Sequence, residues 1–249
     1  MKIITFFICF ITFFSCKEEK ETLTAQVIID KAINIACSGH CENAYIDFTF
    51  RDKCYVSTRK GNEYQLERIT TDSTGITRDV LSNSGFQRFK NEILIAVPDS
   101  MAIKFSNSVN SVHYFAQLPF GLNVPSVRKE LLGEDTINGE NYYEIGVSFI
   151  QEGGGTDFDD TFVYWIHKEK FTLAYLAYKY AVDGGGIRFR EAYNVRVVKG
   201  IRFADYNNYK TDNLDIVLTD LDRLFTEGEL KLLSKIETES VGVVLTGSK

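Results

Sequence analysis

The sequence predicts a mostly β fold of the α+β kind: a curved antiparallel meander sheet or half-barrel with a few covering helices. Three observations predict it. Aromatic residues are abundant, with 19 Phe and 13 Tyr in 249 residues, and aromatic and β-branched side chains favour strands. Runs of alternating apolar and polar residues are separated by turn signals such as Asn138-Gly139, the pattern of consecutive hairpins. Several later runs are apolar on both faces, so both faces of that part of the sheet are expected to be covered.

Taken in order, residues 1–15 read as a lipoprotein signal peptide, 16–23 as an acylated tether and 24–249 as a single β-rich globular domain. Ile3 to Phe14 carries no charge over twelve residues. That is short of the ~20 needed to cross a bilayer but fits the apolar core of a secretory signal. Phe13-Phe14-Ser15-Cys16 resembles a lipobox, with Phe13 where Leu is usual, and makes Cys16 the expected lipid attachment residue. One acyl chain holds a membrane only marginally, so a stable anchor needs two or more chains. Lys17-Glu18-Glu19 resembles the surface-export signal of Bacteroidota lipoproteins, and reads equally well as a solvated tether.

Thr24 to Cys37 is expected to be helical, with Thr24 as cap, Val27, Ile28, Ala32, Ile35 and Ala36 near helical spacing, and Gly39 ending it. Ile46, Phe48 and Phe50 then alternate with Asp47, Thr49 and Arg51, and turns at Asp52-Lys53, Gly61-Asn62, Ser73-Thr74-Gly75 and Asn83-Ser84-Gly85 extend a meander. Met101 to Gln117 is expected to be a second helix, capped by Ser100, with Ala102, Phe105, Val109, Val112 and Ala116 on one face. Leu118-Pro119 stops it, because Pro lacks the amide and restricts its predecessor.

The second half returns to strands at 128–137, 142–150, 161–167, 171–182, 187–198 and 201–205. In one of them Phe171, Leu173, Tyr175 and Ala177 stand against Leu176, Tyr178, Tyr180 and Val182, apolar on both faces. A short helix at 226–233 and a last strand at 236–245 are expected to close the chain.

A net charge of −6 argues against a nucleic-acid partner, since phosphate binding needs a basic face. Cys37, Cys41 and Cys54 remain after the signal and Cys16, an odd number that leaves no full disulfide framework. Cys41 and Cys54 lie at opposite ends of the first hairpin, roughly 20 Å apart, and do not suit a bridge. Cys37, His40 and Cys41 fall short of the four ligands of a zinc site and read better as a helix end. No metal and no cofactor is expected.

Catalytic motifs are missing: there is no Gly-x-Ser-x-Gly elbow, no His-Glu-x-x-His and no phosphate-binding Gly-Lys-Ser/Thr. The remaining candidates are two glycine loops, Gly153-Gly154-Gly155 and Gly184-Gly185-Gly186. Alternate turns of a meander share one rim, and this rim would carry Asp157, Asp159, Asp160 and Asp183. Arg188 and Arg190 follow on one face of the next strand. Such carboxylates could bind Ca²⁺ through hard oxygen ligands. Alternatively the loops are plain hairpins, with Asp making turns and Arg paired to nearby carboxylates. Turn chemistry alone accounts for the composition, which favours the second reading.

Three stretches, Asn110 to Phe120, Gln151 to Trp165 and Gly184 to Asn194, resemble the Bacteroidota lipoproteins grouped as domain of unknown function 6503. The resemblance covers essentially the whole mature chain and implies an outer-membrane lipoprotein, facing the periplasm or the cell surface. More distantly, a meander over helices resembles the half-barrel of the LolA and LolB lipoprotein carriers, which hold acyl chains between a concave sheet and a helical lid. That likeness rests on architecture alone. The expected function is therefore a membrane-anchored, non-enzymatic protein binding a hydrophobic or amphipathic, lipid-like ligand. A partner-binding envelope protein without a pocket is the alternative, and a hydrolase acting at the Asp/Arg rim comes third.

Overall fold

The computed structural model describes residues 23–150, 159–181 and 184–247. The first helix, α1 (Ala25–Cys37), starts as its sequence dictates: the Thr24 hydroxyl accepts a hydrogen bond from the Val27 amide, satisfying one orphan donor of the first turn. It buries Ile28, Ile29 and Ala32 at 1% exposure or less, each isoleucine contributing roughly 1.5–3 kcal/mol. Ser38 ends it in the left-handed region, donating its amide to the Asn34 carbonyl. Cys37 and Cys41 form a disulfide across this helix end, leaving Cys54 free. The pairing was not anticipated, although four-residue spacing brings two side chains together at a helix end.

Six strands follow as a meander: β1 (Ala44–Phe50), β2 (Lys53–Lys60), β3 (Glu63–Asp72), β4 (Gly75–Ser82), β5 (Gly85–Lys90) and β6 (Ile93–Ile95). After α2 (Asp99–Ala116) come β7 (Val127–Ile137), β8 (Glu140–Phe149), β9 (Thr161–His167), β10 (Leu173–Tyr180), β11 (Gly186–Val198) and β12 (Ile201–Lys210). The chain closes with α3 (Leu221–Thr226), β13 (Lys231–Ile236) and β14 (Glu239–Leu245). The strands form two antiparallel sheets of seven, in the orders β14-β1-β2-β3-β4-β5-β6 and β13-β12-β11-β10-β9-β8-β7. They are curved and do not close into a barrel. The β13–β14 hairpin places one strand at the edge of each sheet.

Two expectations are corrected near the C-terminus. The helix lies at Leu221–Thr226 rather than 226–233, because Gly228 takes a positive φ of 74° and the Glu229 amide donates to the Leu224 carbonyl, a helix-ending arrangement. The strand expected at 236–245 is β14, beginning at Glu239, and an unforeseen strand, β13 (Lys231–Ile236), takes up part of the stretch expected to be helical. In the middle, α2 begins at Asp99 after Pro98 rather than at a Ser100 cap, and the short edge strand β6 was not foreseen.

Both faces of the second sheet are covered, as the two-sided strands predict. Leu176, Tyr164 and Ile145 pack with Ile28 and Ile29 of α1. On the opposite face Trp165, Ala177 and Phe189 pack with Leu221, Leu224 and Phe225. The first sheet contributes Ile46, Phe48 and Tyr55 to a third cluster that includes Ile201 and Phe203 of β12.

Candidate functional site

Adjacent residues of α2 point about 100° apart around the helix, and two of them tie it to different sheets. His113 Nε2 lies 3.0 Å from the Glu67 carbonyl oxygen, and its ring meets Phe48 and Tyr55 edge-on at 5.7 and 5.6 Å. Burial lowers the His113 pKa to about 4, so the imidazole is neutral at pH 7. Next to it, the Tyr114 hydroxyl meets that of buried Tyr164 at 2.6 Å on the second sheet. His167 is equally structural: its Nδ1 accepts from the Glu169 and Lys170 amides, so Nε2 carries the proton toward Glu140 at 2.9 Å. Neither histidine serves a catalytic triad.

Between the C-terminal half of α2 and both sheets lies a cleft of about 330 Å³. Val112, Phe115 and Ala116 of α2 form one wall, and Tyr178, Arg190, Tyr206 and Asn208 of the second sheet form the other. Ile236 and Ser234 of β13 and Phe50 of the first sheet also line it. The surface is largely aromatic and aliphatic, with a few polar groups converging on it, as ligand sites generally are.

Of the two arginines lining this cleft, Arg51 is exposed and Arg190 is buried. Arg190 is 7% exposed, the single buried Lys or Arg among the described residues. Nη2 donates to the Tyr178 hydroxyl at 2.7 Å, and the guanidinium stands 4.0 Å from the centre of the Phe115 ring and 5.0 Å from that of Tyr178. Nε has no hydrogen-bond partner. Arg188, two residues earlier on the same face, donates instead to the Tyr180 hydroxyl at 2.5 Å. Neither arginine pairs with a carboxylate among the described residues.

The rim of the sequence analysis is placed only in part. Thr161 pairs with Lys179, which pairs with Ile187, so Asp159 and Asp160 precede β9 at the end of the sheet where Gly184 and Gly185 precede β11. Asp157, Asp183, Gly153-Gly154-Gly155 and the lipidation residue Cys16 lie outside the described residues. Arg190 sits four residues along β11 from that end, roughly 13 Å at 3.3 Å per residue, and belongs to the cleft. Beside the rim a wider groove of about 680 Å³ is lined by Arg128, Glu130, Lys179 and Leu218 among others.

One constellation escaped sequence reasoning. Asp135 of β7, Glu144 of β8 and Asp222 of α3 bring carboxylate oxygens within 4.8 Å of one another, close enough for one cation to touch all three. Desolvation, with the Asp135 carboxyl beside it, pushes Asp222 up to about 7. Glu144 is raised too, first by burial and then by Asp135. Three carboxylates on three elements, from Asp135 to Asp222, leave no local signal.

A family model described as a family of unknown function, DUF6503, matches residues 1–238. Comparison with curated proteins finds no match. Among solved structures, a DUF1329 family protein from Desulfovibrio piger is similar over 83% of this chain and 99% of its own, with 12% identity and a TM-score of 0.50. A LolA superfamily protein from Nitrosomonas europaea is similar over 89% of this chain and 92% of its own, with 14% identity and a TM-score of 0.48. At such identities the first likeness is one of fold, and no site residue is carried across.

Proposed function

The chain belongs to the DUF6503 family of unknown function, and from that premise we propose that it is an envelope lipoprotein which holds a hydrophobic or amphipathic ligand between α2 and the two sheets. The observation that carries the reading is the largely apolar cleft of about 330 Å³ beneath Val112, Phe115 and Ala116. Its volume falls at the lower end of the usual range of about 300–1,000 Å³ for ligand sites, so it suits one alkyl chain better than several.

Cys16 is the proposed anchor, tethering one β-rich domain from residue 24 onward to the outer membrane through residues 16–23. Two features support export. The first 21 residues read as a signal followed by a charged tether, and a Cys37–Cys41 disulfide is at home in an oxidising compartment. Among the described residues no helix is long and apolar enough to cross a membrane.

The test is native mass spectrometry with lipid extraction on the protein carrying Cys16→Ser. A co-purified apolar molecule, removed by extraction and taken up again, is the expected result. A protein that purifies empty and takes up no added lipid would exclude the ligand-binding reading.

A further inference from the structure

Resting on that cleft reading, we infer that the ligand is an anionic single-chain amphiphile whose acid group meets Arg190. The cleft lining carries two cations, exposed Arg51 and buried Arg190, and no carboxylate. Arg190 is 93% buried, judged from its 7% exposure, lines the cleft and pairs with no carboxylate among the described residues. A buried charge is costly unless it is paired and hydrogen-bonded, and the Tyr178 hydroxyl with two aromatic faces covers only part of this guanidinium. Its buried Nε is left without a hydrogen-bond partner.

Neighbouring groups complete a cradle of donors. The Tyr178 hydroxyl accepts from Arg190, which leaves its own proton free to donate. Asn208 lines the same cleft and bonds Ser234 Oγ through Nδ2 at 3.1 Å, while its Oδ1 has no partner. An amide can be turned over without changing its shape. Turned over, Asn208 accepts from the Ser234 hydroxyl and presents its NH₂ to an acid oxygen. Arginine, tyrosine and amide N–H or O–H groups together recognise a carboxylate or a phosphate through charge-assisted bonds. Val112, Phe115, Tyr206 and Ile236 then receive the chain attached to it.

Calorimetric titration of the lipid-extracted protein with lauric acid, dodecyl phosphate and dodecanol tests this, since the three probes share a chain and differ in the head. Both acids should bind roughly tenfold or more tightly than the alcohol, an amount in keeping with one charge-assisted contact, and the tighter of the two names the head as carboxylate or phosphate. Arg190→Gln should collapse that gap, Arg190→Lys should keep most of it, and Val112→Trp should abolish binding of all three by filling the cleft. Equal binding of acids and alcohol by the unaltered protein would overturn the anionic head while leaving the cleft reading intact. Failure of all three probes to bind would overturn both.

Discussion

The two sheets have seven strands each, and two charges buried near α2, one on each sheet, are answered in opposite ways. Beneath α2, the first sheet holds Asp79 at 2% exposure. Arg68 donates to it at 2.6 Å and Arg88 at 2.5 Å. Arg68 also donates to Ser108 of α2 at 2.6 Å, and Arg88 lies 3.5 Å from the centre of the Phe105 ring. The anion is fully answered from within the protein. On the second sheet Arg190 is buried with only a hydroxyl and aromatic faces around it. A buried charge that the fold completes belongs to the fold, whereas one that it leaves incomplete points to something from outside.

The comparison breaks most visibly at Asp79. Asp79→Ala removes the shared acceptor of two arginines whose side chains keep only 13% and 18% exposure. Breaking a buried pair by removing one partner costs about 3–5 kcal/mol. The residual exposure of the arginines places the expected loss at about 3 kcal/mol, read as a lower urea midpoint with an unchanged slope. A loss below about 1 kcal/mol would mean that the cluster is a solvated surface pair.

A second imbalance, of the opposite sign, lies on the outer face of the second sheet. Asp135, Glu144 and Asp222 gather there, and no Lys or Arg forms an ion pair with them among the described residues. Asp222 is raised from 3.8 to about 7 by desolvation and by Asp135. A raised carboxyl binds a proton in the folded state that the unfolded state has lost, so stability is full below about pH 4 and is lost as pH rises toward about 7. Between pH 5 and pH 8 this group should withdraw roughly 1–3 kcal/mol, read as the difference in pH slope between the unaltered protein and Asp222→Asn. Asp52, Asp72, Asp212 and Glu140 shift the other way. They lose their contribution only at more acid pH, whereas Glu144, also raised, shares this window. His113, lowered from 6.5 to about 4, opposes the trend below about pH 6.5, so the difference between variant and unaltered protein isolates the cluster. An unchanged slope in the variant would remove the cluster as its cause.

These contrasts show what the sequence could and could not disclose. Local signals were legible: the Thr24 cap, the hairpin turns of the first sheet, the apolar face of α2 and the two-sided strands that require cover on both faces. Each is written within a few residues. The C-terminal errors arose where Leu230, Leu232, Leu233 and Ile236 fit helix and strand spacing about equally, and Gly228 decided between them. The disulfide was hidden by counting cysteines, since parity says only that one of three stays unpaired. For the candidate site, two-residue periodicity places Arg188 and Arg190 on one face but says nothing of depth. It is depth that puts Arg190 against Phe115 and sends Arg188 to Tyr180. The carboxylate cluster depends on strand register and on where α3 docks, and neither can be read from a window of sequence.

The smallest expected effect is the sharpest test of the comparison. In the lipid-extracted protein, Arg190→Met should change stability by less than about 1 kcal/mol, or raise it. The substitution forfeits one hydrogen bond to Tyr178 and the contacts with two rings, each worth of order 0.5–1.5 kcal/mol. It also removes an incompletely answered buried charge, and replacing buried ions by apolar residues of similar volume is often neutral or stabilising. These effects nearly cancel, in contrast to Asp79→Ala, where nothing offsets the loss. Thermal melts of the two variants side by side, each against the unaltered protein, read the difference directly. If Arg190→Met instead cost as much as Asp79→Ala, Arg190 would be holding the sheet together through Tyr178 and Phe115, and the charge in the cleft would no longer call for an external partner. If the stabilities match while the unaltered protein alone gains melting temperature from an added fatty acid, the missing counter-charge is the ligand's, because only binding to the folded state raises stability in proportion to occupancy.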